Sequence, residues 1–273
     1  MDILRVGLCF SPKAVSACAG MHRSPPCDVL ILPELFDGGY AALRNGAPHR
    51  LTTDDYFLTY RRASARNRIT YILGSTAVRD RKGRRSNACL VYRSGRQVHR
   101  YDKLHLFVPG GDDRLFSPGR SLRTFSIPHG KAGIKGGVLL CYDLRFPEAA
   151  RVLALLGMKV LFVPARWPAV RDDAWQALLK ARAIENQVFV VGCNSRDAEG
   201  GYSYIMDPLG VAVWSNRARS HRSFVRVALD LDRLRVAREF HRNIREALLL
   251  HQLAGVHGAS GSVAYRRPSI NRR

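Results

Sequence analysis

Three polar residues in this chain each stand at the end of a strand-like run. Glu34 follows Val29-Leu30-Ile31-Leu32-Pro33, Lys103 follows Val98-His99-Arg100-Tyr101-Asp102, and Cys141 follows Gly137-Val138-Leu139-Leu140. Brought into one cleft, a carboxylate, an ammonium and a thiol make up an acyl-transfer device. The thiol attacks a carbonyl or nitrile carbon, the carboxylate takes the thiol proton and returns it to the leaving nitrogen, and the ammonium holds the oxyanion. Taken singly, each has a plainer explanation: a buried cysteine is most often a small hydrophobe, Glu34 a solvated turn acid, and Lys103 a surface charge. The chemistry depends on their being assembled.

The elements that must assemble them alternate from one end of the chain to the other, the pattern of an α/β protein, in which active sites form at strand ends. Strands are predicted over 3–10, 28–32, 70–77, 86–92, 97–101, 133–141, 159–163, 188–194, 203–206, 211–215 and 221–229, and helices over 53–67, 147–156, 172–186 and 231–250. Thr53 with Asp54 and Asp55, and Asp172 with Asp173, read as helix starts. Pro147 suits a helix first turn, where its missing N–H costs nothing. Cys141 thus falls at a strand-to-helix turn, where the helix dipole favours the thiolate. Pro208 marks a hairpin turn, and the basic run Arg79-Asp80-Arg81-Lys82-Gly83-Arg84-Arg85 reads as another.

No Pro-, Gly- or Ser-rich linker interrupts the chain before residue 250, so one domain is expected over 1–250, followed by a flexible basic tail over 251–273. The 273 residues support a full core. Their formal charge of +22 is the most unusual bulk property. Arginines are scattered rather than gathered in a stripe, and no RNA-recognition, helix-turn-helix or KH pattern accompanies them. A basic solvated surface is therefore expected, without a specific nucleic-acid partner. No apolar run is long enough for a membrane span, and the N-terminus lacks the pattern of a secretory signal, which makes the cytoplasm the expected location. The six cysteines form no CxxC pair and have no adjacent histidine at ligand spacing, so neither metal nor cofactor is expected.

The flanking residues add a resemblance. Leu32-Pro33-Glu34-Leu35-Phe36, Tyr101-Asp102-Lys103-Leu104-His105-Leu106-Phe107, Cys141-Tyr142-Asp143-Leu144-Arg145-Phe146-Pro147-Glu148 and Ala181-Arg182-Ala183-Ile184-Glu185-Asn186-Gln187 occur in the order found in the nitrilase superfamily of carbon–nitrogen hydrolases, and the resemblance runs over about residues 3–248. It implies a four-layer α-β-β-α sandwich, paired into a homodimer or higher homo-oligomer. It also implies Glu34 as general base, Lys103 as stabiliser of the tetrahedral intermediate, Cys141 as nucleophile and the Tyr142 backbone N–H as second oxyanion donor. Asp112 stands where such proteins commonly carry a second glutamate, one methylene longer. The segment Pro164-Ala165-Arg166-Trp167-Pro168-Ala169-Val170-Arg171 resembles the ω-amidase-like branch, which acts on 2-oxo dicarboxylic acid monoamides. Arg145 and Arg166 would then hold the distal carboxylate, with Trp167 beside them.

The expected activity is thiol-dependent hydrolysis of a small anionic amide with release of ammonia. Two readings compete with it: an N-carbamoyl amino acid or deaminated-glutathione amidase, and a catalytically weak basic binding protein built on a hydrolase scaffold.

Overall fold

The apolar runs pair into two six-stranded sheets laid face to face. The computed structural model describes residues 2–10, 27–44, 53–67, 69–217, 222–241 and 262–264. The first sheet has the order β13-β1-β2-β3-β4-β5, built from β1 (Ile3–Cys9), β2 (Val29–Ile31), β3 (Thr70–Arg79), β4 (Arg85–Arg93), β5 (Arg96–Asp102) and β13 (Phe224–Asp230). The second has the order β12-β11-β10-β9-β8-β7, from β7 (Phe125–Ile127), β8 (Ile134–Val138), β9 (Val160–Ala165), β10 (Phe189–Asn194), β11 (Tyr204–Met206) and β12 (Ala212–Ser215). A short β6 (Ser121–Arg123) pairs with β14 (Ser262–Ala264).

Side-chain alternation along the strands sorts residues between two cores. Ile31 and Val91 of the first sheet join Val138, Phe162 and Val191 of the second in the cluster between the sheets. Their neighbours Leu30, Leu90 and Tyr92 face the other way, onto Tyr60 and Ala63 of α2 (Thr53–Asn67). On the far side, α4 (Pro147–Leu155) and α5 (Asp172–Asn186) cover the second sheet. Every residue of β9 and β10 is buried, as parallel strands covered on both faces require. The expected α-β-β-α layering is what forms.

Strand direction brings the site together. Because β2 and β3 are parallel, and β4 is antiparallel to both β3 and β5, β2 and β5 run the same way. Glu34 and Lys103 therefore leave the first sheet at one end. In the second sheet β8, β9 and β10 are parallel and deliver Cys141 and Arg166 in the same manner.

Several boundaries differ from the sequence reading. The strand expected over 133–141 stops at Val138, and a 3-10 turn, Cys141–Arg145, begins at the cysteine, because the Asp143 carboxylate takes the Leu140 N–H at 3.0 Å. The helix expected over 231–250 is α6 (Asp232–Phe240), ended by extended backbone at His241, and residues 242–250 lie outside the described residues. The short helices α1 (Gly39–Arg44) and α3 (Asp112–Leu115) lack enough periodic apolar residues to show in the sequence. Helices over 53–67 and 172–186, Pro147 at a first turn and both hairpin turns form as read. Of the tail over 251–273, only β14 lies within the described residues.

The turn that carries Glu34 is held by a bulge in β3. The register with β4 shifts between Leu73 and Thr76, which frees Ser75 to give its N–H to the Pro33 carbonyl at 3.2 Å and take the Leu35 N–H on its hydroxyl at 2.9 Å. Gly74 makes this approach possible, since a Cβ there would stand 1.6 Å from the Pro33 carbonyl oxygen. Neither backbone can yield without moving Glu34. Gly74→Ala is expected to lower unfolding free energy by about 3 kcal/mol, the upper part of the overpacking range, as measured by urea denaturation.

Candidate active site

Glu34, Lys103, Asp112 and Cys141 are all buried, and they meet. The Lys103 ammonium lies 2.8 Å from Glu34 Oε1 and 2.8 Å from Asp112 Oδ2. Glu34 Oε1 also accepts the Asn87 amide of β4 at 2.9 Å and the Tyr40 hydroxyl of α1 at 3.1 Å, while Oε2 accepts the Arg166 backbone N–H at 3.2 Å. Asp112 reaches the lysine despite its short side chain because its loop folds inward. The 3-10 turn Val108–Gly110 and Gly111, at φ 81°, bring the chain round so that Asp112 Oδ2 also takes the Phe107 N–H at 3.0 Å. Its other oxygen, Oδ1, is buried and has no partner among the described residues.

Cys141 sits at φ 44°, in left-handed backbone, and Leu35 beside the carboxylate at φ 42°. Such conformations cost on the order of 1–3 kcal/mol each and persist only where surrounding bonds over-determine them. Around Cys141 those bonds come from Asp143. Its Oδ2 accepts the Tyr101 hydroxyl at 2.7 Å and the Leu140 N–H, and its Oδ1 accepts the His105 N–H at 2.8 Å and lies 2.9 Å from His105 Nδ1. One carboxylate thus ties the lysine-bearing segment to the cysteine-bearing turn. Tyr142 is the second residue of that turn, so its N–H has no acceptor within the helix and stays available to an oxyanion.

The electrostatics correct one expectation. Burial, followed by the negative charge of Glu34, holds the Cys141 thiol well above the usual cysteine range, outweighing the lowering effect of Lys103. The resting thiol is protonated, and it donates to the Arg166 carbonyl at 3.7 Å. Burial alone would lower the Lys103 pKa, but Glu34, Tyr40 and Asp112 together carry it well above the usual lysine range. Tyr40 is likewise raised, by burial and then by Glu34.

A cleft of about 360 Å³, counted with its mouth, opens onto the thiol between Phe107, Tyr142, Trp167 and Pro168. Trp167 is buried against Trp175, with ring centroids 5.2 Å apart, and the Arg145 guanidinium stacks 4.9 Å over its ring. Arg145 is exposed and forms no ion pair among the described residues. Arg166 does not join it as the expected carboxylate clamp. Its guanidinium is spent on Asp197, on Glu199 at 3.1 Å, and on the carbonyls of Glu34 at 2.9 Å and Leu35 at 3.1 Å. It braces the Glu34 turn instead. Glu199 also caps α1 through the N–H groups of Tyr40 and Ala41, which fixes the Tyr40 hydroxyl between the two carboxylates.

Tyr40, Asn87, Glu199 and the stapling role of Asp143 escaped the sequence reading. For Asp143 a signal existed: an acid two residues past the cysteine, inside a segment that must be buried. The other three are joined to the site only by tertiary contact.

Comparison with known proteins agrees with this architecture. The family model for carbon–nitrogen hydrolase matches residues 10–239. A 2-oxoglutaramate amidase of Bacillus subtilis is 34% identical over 224 residues, covering 80% of this chain and 83% of that protein. The omega-amidase YafV of Escherichia coli K12 is 38% identical over 189 residues, 67% of this chain and 70% of the relative. A carbon–nitrogen hydrolase superfamily protein of Xanthomonas campestris, solved with an arsenic adduct in its active site, superposes with a TM-score of 0.72 at 25% identity, covering 90% of this chain and 97% of that one. The fold and the buried cluster define a thiol hydrolase scaffold of the nitrilase type. The chain belongs to the carbon–nitrogen hydrolase family and is an amidase of its ω-amidase-like branch.

Because the Glu34 charge adds to burial in opposing thiolate formation, removing it has opposite effects on two observables. Glu34→Gln lowers the Cys141 pKa, so iodoacetamide alkylation of Cys141 between pH 7 and 9, followed by intact mass, is expected to become faster than in the parent protein. Amide turnover by the same variant is expected to fall by about 10²–10⁴-fold, the contribution of a positioned general base.

Proposed function

We propose that this protein hydrolyses a small anionic amide, a monoamide of a 2-oxo dicarboxylic acid, through a thioester on Cys141. The observation that carries the reading is the buried Glu34–Lys103–Asp112 cluster set against the Cys141 thiol at the floor of an open cleft. The names of the relatives supply the substrate class.

In this mechanism Cys141 Sγ bonds to the amide carbon while its proton passes to Glu34. The transfer moves a negative charge from carboxylate to sulfur without adding one to the buried cluster, which is how a thiol of raised pKa reacts at neutral pH. The tetrahedral oxyanion is held by the Lys103 ammonium and the Tyr142 N–H. Glu34 then gives its proton to the departing nitrogen, the carbon–nitrogen bond breaks, and ammonia leaves. Water attacks the thioester with Glu34 as base, the carbon–sulfur bond breaks, and the thiol is restored. Asp112 keeps Lys103 charged and aimed while Glu34 cycles between its two states.

The reading includes a homodimer as the working assembly and the cytoplasm as its place. The exposed apolar side chains of Ile184, Leu209 and Val211 near the end of α5 support the first. The buried thiols of Cys89, Cys141 and Cys193, which form no disulfide among the described residues, support the second.

Ammonia release from 2-oxoglutaramate, succinamate, N-carbamoyl amino acids and glutathione-like amides tests the reaction. Release is expected to be fastest from 2-oxoglutaramate and absent in Cys141→Ala, with an acyl adduct on Cys141 in the parent protein by intact mass. Unchanged turnover in Cys141→Ala would overturn the mechanism, and preference for ureido acids would overturn the substrate class. No adduct and no turnover with any amide would favour the binding-protein reading.

A further inference from the structure

With Arg166 committed to the Glu34 turn, the cleft keeps two other guanidinium groups. Arg145 and Arg171 both line it, both are exposed, and neither forms an ion pair among the described residues. Each rests on an aromatic face, Arg145 over Trp167 at 4.9 Å and Arg171 over Phe107 at 5.6 Å. Stacking of this kind holds a guanidinium plane in place without using its N–H groups, which stay free for a ligand.

The two are also joined through one side chain. The Trp167 indole N–H donates to the Arg171 carbonyl at 2.9 Å, so the ring that supports Arg145 also anchors the backbone of Arg171. Phe107, under Arg171, packs against Tyr142 with ring centroids 5.0 Å apart, beside the nucleophile. Otherwise the wall of the cleft is mostly aromatic and apolar. Two cations with no ion pair among the described residues, beside a buried Arg166 that is paired with two acids, are placed for an anion that arrives from solution.

We propose that Arg171, together with Arg145, forms the receptor for the 2-oxo acid end of the substrate. The inference rests on the amidase reading above and assigns the specificity residues of that same site. A 2-oxo carboxylate presents three oxygens in a conjugated array, two on the carboxylate and one on the neighbouring carbonyl. One guanidinium takes the carboxylate by a bidentate pair, and the second bridges the remaining carboxylate edge and the ketone oxygen. A simple carboxylate, as in succinamate, fills one fork and leaves the second partly used. Arg171 thereby discriminates 2-oxo monoamides from plain ones.

The test compares Arg171→Gln and Arg171→Lys with the parent protein on 2-oxoglutaramate, succinamate and butyramide. In Arg171→Gln the ratio of kcat/KM for 2-oxoglutaramate over butyramide is expected to fall roughly 10- to 100-fold, mainly through KM, the loss expected for hydrogen bonds to a charged group. The ratio for succinamate over butyramide is expected to fall less. Arg171→Lys, which keeps the charge and loses the planar fork, is expected to recover the succinamate ratio better than the 2-oxoglutaramate ratio. A separate arm does not need turnover: calorimetric binding of 2-oxoglutarate to Cys141→Ala, with and without Arg171→Gln. Binding weakened by Arg171→Gln supports the receptor even if no amide is hydrolysed, in which case the amidase reading alone fails. Equal binding in the two proteins, or a loss of kcat/KM that is the same for all three amides, would overturn the proposal.

Discussion

A single ammonium held out of water between two carboxylates is the constraint around which this molecule is organised. Lys103 is buried at 2.8 Å from both Glu34 and Asp112, and removing it would leave two uncompensated carboxylates in the interior. Breaking a buried pair costs on the order of 3–5 kcal/mol, so the three segments that carry these residues are locked in mutual register. Two acids to one cation also leave one formal negative charge in the cluster. Burial first and the Glu34 charge second hold the thiol pKa up, and proton transfer from Cys141 to Glu34 is the low-cost route to a nucleophile, because the total charge of the buried groups does not change.

Much of the surrounding polar structure keeps this cluster in place. Asp143 uses both oxygens to join Tyr101 and His105, on either side of Lys103, to the turn that begins at Cys141. The bulge at Gly74 and Ser75 and the guanidinium of Arg166 do the same for the Glu34 turn. The left-handed backbone at Leu35 and Cys141 is the local cost of aiming a carboxylate and a thiol from two different sheets at one point. The bonds around each residue offset it.

Among the arginines, burial separates structural from receptive roles. Arg166 sits among carbonyls and acids that take up its guanidinium, whereas Arg145 and Arg171 lie exposed on aromatic faces with no ion pair among the described residues. The formal charge of +22 gives no hint of this division, since bulk charge counts all three alike. What separates them is whether the neighbouring carboxylates belong to the protein.

Local pattern was enough to read the α/β class, most strands, the helices over 53–67 and 172–186, and the ordered motifs holding Glu34, Lys103 and Cys141. Hydrophobic periodicity, turn residues and motif order are written along the chain, and each reports on its own few residues. The end of the strand at Val138, the stop at His241, and the short helices over 39–44 and 112–115 were not legible, because each is settled by a particular side-chain contact, a packing partner or a single backbone angle rather than by residue periodicity. The same holds within the site. The sequence by itself determined which residue types were available for acyl transfer and in which segments they lay. Only the tertiary structure decided that Asp112 reaches Lys103, that Tyr40 stands between the carboxylates, that the thiol rests protonated, and that Arg166 is a brace while Arg171 faces the cleft. Those outcomes depend on distances and burial that the fold sets, and electrostatic energy follows distance and burial rather than position along the chain.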